Sequence, residues 1–243
     1  RLSHTVGGAW LAGATLVASV GAYYVLRNRH RDFGRVSIKV GLALILAVGL
    51  LQLATGHDSA AGVAKNQPAK LAAYEGHFET GPAPLYLFGW VDADTGKTHG
   101  VALPGMLSWL VHGDAAAPVT GLNEFKPADR PPVNFVFQTY HLMVALGMLL
   151  IGLGLLGAFL WWRGWLLEKR WFLWILVFAV LAPQLANQLG WWSAEVGRQP
   201  WIVYGLLKVQ DWVRCLEQFE KDGDYGIFRD LLVAEGLAGK LLA

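Results

Sequence analysis

Four stretches without a formal charge run through this chain and leave few folds open to it. They lie between Arg1 and Arg27, between Lys39 and Asp58, between Arg130 and Arg163, and between Arg170 and Glu195. Each can carry a helix across roughly 30 Å of hydrocarbon, the second being near the lower limit of length. In lipid a chain must satisfy its own backbone hydrogen bonds, so such stretches read as transmembrane helices. Pro131, Pro132 and Asn134 put the true start of the third near residue 133. Composition agrees: 54% of the 243 residues are hydrophobic, only 16% are charged, and 12 are Trp, more than an ordinary soluble domain carries. The expected fold class is all-α, a polytopic transmembrane helix bundle of about four spans with a long extracytoplasmic loop.

Charge sets the orientation. Arg27, Arg29, Arg31, Arg35 and Lys39 crowd the first connection and Arg163, Lys169 and Arg170 the last, so those ends face the cytoplasm. The connection 56–132 then lies outside with eight acids against five bases, and both chain ends lie outside as well. Arg1 is not an initiator methionine and no signal-peptide pattern precedes the first span, so the chain is expected to begin within a longer protein. A net charge of +2 gives no reason to expect a nucleic-acid partner. The single cysteine, Cys215, excludes an internal disulfide, a CxxC site and a cysteine-rich iron–sulfur cluster within this chain.

The outer connection is too long for a mere link, and loops of that length are usually functional or disordered. PAKLAAYEGHFET (68–80) reads as a short helix with Lys70, Tyr74 and His77 at i, i+4 and i+7, and with Glu75 on another side. A solvated surface helix is the plainer reading. The segment GPAPLYLFGWVDADTGKTHGVALPG that follows has strand-like runs around a Gly/Asp/Thr turn, which predicts a hairpin.

GWWSAEVGRQPW (190–201) puts one carboxylate, Glu195, at the end of the last apolar run, with Trp191 and Trp192 before it, Arg198 three residues on, and Pro200 to stop the helix. It reads either as a helix-end acid held by Arg198 beside interfacial aromatics, or as a buried ligand or proton-handling group. Iron can be held through His and Met when cysteines are lacking. His4 and His141 are the histidines in or beside spans, and Met143 and Met148 lie on the third span. His141 and Met143 are two apart and cannot serve one helix face.

GWWSAEVGRQPW, KLAAYEGHFET with the following GPAP, YHLMVALG and the opening HTVGGAWLAG resemble, in that order, subunit I of cytochrome bd-type quinol oxidases. The resemblance covers about residues 4–210 and corresponds to the second half of that subunit, with the outer loop similar to its quinol-binding Q loop in the shorter form. It implies that His4 and Met143 are the axial ligands of haem b558, and that Glu195 is the ligand of haem b595 with Trp191 aiding electron transfer between haems. It implies quinol binding and oxidation at Lys70 and Glu75, whereas for Arg198 and Gln199 a role beside haem propionates is inferred from charge. The implied partners are ubiquinol or menaquinol, O2, subunit II and the lipid of a bacterial cytoplasmic (inner) membrane; haem d would take its ligand from helices upstream of this chain.

Two features depart from the family pattern. His141 stands where better-known members have arginine, and after Lys208 the sequence carries charges every few residues, which allows two short amphipathic helices at most and no further span. The chain thus divides into 1–55 (two spans on the haem b558 side), 56–132 (Q loop), 133–194 (two spans), 195–210 (the GRQPW segment) and 211–243 (a polar tail of unknown role). Two other readings remain, a non-catalytic membrane anchor and a transporter fragment with Glu195 as coupling carboxylate. A transporter would more often show broken helices and an internal repeat, and the sequence reads as having neither.

Overall fold

The computed structural model describes residues 2–222; the end of the polar tail, 223–243, lies outside the described residues. Helix α1 (Leu2–Leu26) and helix α2 (Arg31–Asn66) form an antiparallel pair, joined by a tight turn in which Asn28 and His30 take positive φ. Small residues let the two backbones approach closely. A Cβ added to Gly41 would stand 2.8 Å from both the Ala14 carbonyl oxygen and the Ala18 Cβ, and one on Gly21 2.8 Å from the Gly34 carbonyl oxygen. In lipid, where apolar burial drives association little, such contact holds helices together by packing.

Helix α2 is longer than its charge-free window. Asp58 and Lys65 are compatible with a helix, and the first residue that stops it is Pro68, which pushes Gln67 to φ −143°. Its 36 residues span roughly 54 Å at 1.5 Å per residue, more than the hydrocarbon thickness. Pro68 then opens helix α3 (Pro68–Glu75), a favourable first position because the missing N–H has no helical partner there. Gly76, at φ +59°, ends it in the left-handed conformation, and His77 N–H donates to Ala72 O.

The outer connection has its own core. Strand β1 (Gly81–Pro82) pairs with strand β4 (Pro118–Val119), and β2 (Leu85–Asp92) pairs with β3 (Lys97–Leu103) as the expected hairpin. Asp92 Oδ1 accepts from the N–H groups of Asp94 and Thr95 to close its turn. Helix α4 (Met106–His112) follows β3. Leu71, Ala72, Tyr74, Phe78, Val91, Leu107, Val119, Leu122, Val136 and Phe137 pack into one cluster. Helix α3 lies inside it: every residue from Ala69 to Glu75 is buried, so it is not the solvated helix its charges suggest.

Helix α5 (Val133–Trp162) begins where the proline pair predicts. The fourth span runs over Arg170–Val196 as expected, with one local irregularity: it divides into α6 (Arg170–Ala179) and α7 (Leu181–Val196) at Val180, which keeps helical φ −56° and ψ −27°. The cause is Pro183, which has no N–H for the Ala179 carbonyl and whose ring crowds that oxygen. Four spans, counting α6 and α7 together, are long and apolar enough to cross a membrane. Their outward surfaces carry large exposed apolar side chains such as Leu16, Leu44, Leu149, Trp174 and Phe178, as a lipid-facing bundle requires. A short hairpin of β5 (Trp201–Val203) and β6 (Leu207–Lys208) leads into helix α8 (Val209–Asp222).

Candidate functional site

The two charged residues of α3 leave it in different directions, as the sequence predicts. Lys70, 8% exposed, donates from Nζ to Ala194 O at the end of α7, at 2.7 Å. Glu75, 1% exposed, faces α5, where its Oε2 lies 3.9 Å from His141 Nε2. Burial pushes the Glu75 carboxyl up to about 8. Its Oε2 has no hydrogen-bond partner among the described residues. His141 is held firmly: its Nδ1 is 2.9 Å from Phe137 O, its Nε2 is 3.0 Å from Tyr86 O, and its ring stacks on Phe137. Between the two charges, Tyr74 stacks flat on Tyr140 of α5, centroids 4.4 Å apart. His77 falls beyond the helix end, its Nε2 3.2 Å from Val119 O. Desolvation holds its imidazole below the ordinary histidine value.

The end of α7 brings together most of the GRQPW residues. Arg198 Nη2 pairs with Glu195 Oε2 at 2.7 Å, both side chains 42% exposed. Gln199 donates from its backbone N–H to Val196 O and from Nε2 to Glu195 O. Trp191 and Trp192 point outward, and Trp192 tilts against Phe135 of α5.

His4 and Met143 occupy different helices, α1 and α5, both packed against α7. The His4 Nδ1 is 3.1 Å from Thr55 Oγ1, and His4 O accepts from Gln52 Nε2 at 3.0 Å. Asn187 Nδ2 donates to Gly8 O at 3.4 Å. Three glycines line this level. An added Cβ would stand 2.9 Å from Gln52 Oε1 at Gly7, 2.6 Å from Asn187 Oδ1 at Gly8 and 2.8 Å from Met143 Sδ at Gly190. Gln52, Thr55 and Asn187 are polar residues that the sequence reading passed over. An amide or hydroxyl inside an apolar window was signal enough to single them out, since polar groups in a span are costly without a partner.

A bundle of four spans, with an outer loop that buries a lysine and a glutamate against the ends of the helices, defines a polytopic membrane protein. Residues 1–220 match the family model described as cytochrome bd terminal oxidase subunit I, and the chain belongs to that family. It is 36% identical over 217 residues to a cytochrome bd subunit I of Bacillus subtilis (strain 168), covering 86% of this chain and 48% of that one. The cytochrome bd ubiquinol oxidase subunit 1 of the same organism is 32% identical, over 84% of this chain and 46% of its own length. Among solved structures, the bd oxidase from Geobacillus thermodenitrificans superposes with a TM-score of 0.75 at 28% identity, covering 97% of this chain and 55% of that one. The chain therefore spans about half the length of the relatives it matches.

Proposed function

We propose that this chain is part of subunit I of a terminal respiratory oxidase of the bacterial inner membrane, which oxidises quinol at the outer face and reduces O2 to water. The observation that carries this reading is Glu75: a buried carboxyl, pushed up to about 8, on a loop helix seated against α5. A group with an affinity for protons near neutrality is suited to accept one from a quinol hydroxyl. Lys70, on the same helix, is the second residue that the family resemblance assigns to quinol binding, its ammonium seated on Ala194 O. The names of the two Bacillus relatives give menaquinol for one and ubiquinol for the other, and either fits the chemistry of this site.

The residues present fit b-type haems by their donor chemistry. His4 and Met143 would hold haem b558 as an imidazole–thioether pair, at the level where Gly7, Gly8 and Gly190 admit the side chains of Gln52, Asn187 and Met143 close to the α1 and α7 backbones. Glu195 would hold haem b595 through the oxygen that Arg198 does not engage, with Trp191 and Gln199 beside it. Such haems supply one-electron acceptors for quinol. Haem d would take its ligand, and subunit II its contacts, outside the residues of this chain. Residues 56–132 act as the quinol loop between two pairs of spans, 1–55 and 133–194. The break at Val180 carries no charged side chain and follows from Pro183, so it gives a transporter reading no support.

The test is a reduced-minus-oxidised optical spectrum of the complex carrying this chain, beside His4→Ala and Met143→Leu. A low-spin b-type signal lost in both variants is the expected result. An unchanged signal in either would assign that ligand elsewhere.

A further inference from the structure

The last turn of α7 leaves three carbonyls, Ala194 to Val196, without an i+4 N–H, and Ser193 O with one bond from Gly197 and a lone pair to spare, because Pro200 prevents the chain from continuing as helix. Their partners come from two sources. Val196 O and Glu195 O are taken by the backbone and side chain of Gln199, and Ser193 O by the N–H of Gly197. The others come from the outer loop: Lys70 Nζ donates to Ala194 O at 2.7 Å, and Tyr74 Oη donates to Ser193 O at 3.3 Å. Both donors lie on α3, more than a hundred residues away in sequence.

The surroundings make this a built contact. Lys70 and Tyr74 are buried, and Tyr74 is fixed by its stack on Tyr140. Gly197 is the one GRQPW position that must stay bare, since an added Cβ would meet Ser193 O and would stand 3.2 Å from Tyr74 Cε1 and 3.3 Å from Lys70 Cε. A cation at a helix C-terminus also meets the negative end of the helix dipole. The next residue after Ala194 is Glu195, whose pairing with Arg198 depends on where this last turn points.

We propose that Lys70 and Tyr74 are positioning residues: α3 caps α7, and the cap sets the direction of the Glu195–Arg198 pair. The helix carrying Glu75 and the segment carrying Glu195 are thereby one mechanical unit, so a change at the quinol loop is felt at Glu195. This rests on the reading above that α3 lines the quinol site and that Glu195 faces a haem.

Hydrogen exchange read by mass spectrometry on the purified complex tests it, with Lys70→Met, Lys70→Arg and Tyr74→Phe beside the wild type. The expected result is about tenfold faster exchange over 194–199 in Lys70→Met, a smaller rise in Tyr74→Phe, and recovery in Lys70→Arg, with the hairpin 85–103 unchanged. The absorption of the haem held at Glu195 should shift in parallel. Unchanged exchange over 194–199 in both Lys70→Met and Tyr74→Phe overturns the cap, even if the KM for quinol rises, and leaves the quinol reading standing. Faster exchange with an unchanged KM upholds the cap and removes Lys70 from quinol binding. If Lys70→Met loosens the whole protein, Tyr74→Phe, which deletes one oxygen, decides: a local rise upholds the cap and none overturns it.

Discussion

Glu75 Oε2 stands 3.9 Å from His141 Nε2, too far for a hydrogen bond, while that ring's nitrogens lie 2.9 Å from Phe137 O and 3.0 Å from Tyr86 O, and the one N–H of a neutral imidazole serves one of those carbonyls. The carboxyl is thus buried beside a ring that is already engaged, which is why desolvation dominates its titration. A raised carboxyl pKa means that the folded chain keeps a proton the unfolded chain releases. Stability linked to Glu75 is therefore full below about pH 4.5 and is lost as pH rises towards about 8, on the order of 5 kcal/mol at full extent. Glu75→Gln should flatten this slope, as followed by thermal unfolding in detergent from pH 5 to 9. An identical slope in wild type and variant would place the responsible group elsewhere.

Close packing of α1 on α2 is open to a direct test. Gly41→Leu should destabilise by about 1–3 kcal/mol, because the new side chain meets the Ala14 carbonyl and Ala18. Gly13→Leu, whose Cβ would meet nothing within 4 Å, should stay within about 0.5 kcal/mol of wild type. Paired thermal melts separate the two.

Gly190 guards the position of Met143. Gly190→Val would push on a thioether only 2.8 Å from its Cβ, so the low-spin haem b absorption should weaken while helicity by circular dichroism persists. Gly147→Val on α5, with open space around its Cβ, should leave the spectrum as it was. Equal spectra in both would detach Met143 from the haem.

Phe137 is fully buried where the loop core meets α5, and removing its ring should cost about 3–5 kcal/mol. The cluster around it is distinct from those inside the bundle. Phe137→Ala should accordingly raise hydrogen exchange in 71–137 well before that of α1 and α6.

Much of this architecture is legible in the sequence, and the misses have physical causes. The start of α5 is written in Pro131, Pro132 and Asn134, and the Glu195–Arg198 pair in an i, i+3 spacing. The length of α2 is not read correctly from charge, because Asp58 and Lys65 bar a residue from lipid without barring it from a helix. Pro183 was in plain view, but a window judged by charge alone passes over a missing N–H. Burial of α3 could not be read locally, since what covers it, Leu122 and Phe137 among others, lies dozens of residues away. The Lys70–Ala194 contact joins residues 124 apart, beyond any helical periodicity.

Helix α2 continues for nine residues past its charge-free window, roughly 13 Å, before Pro68 turns the chain. The chain then doubles back, so α3 nests against the rims of α5 and α7 instead of riding above them. That return tucks both ionisable side chains of α3, 8% and 1% exposed, among the helix ends, so that protein and not water surrounds them.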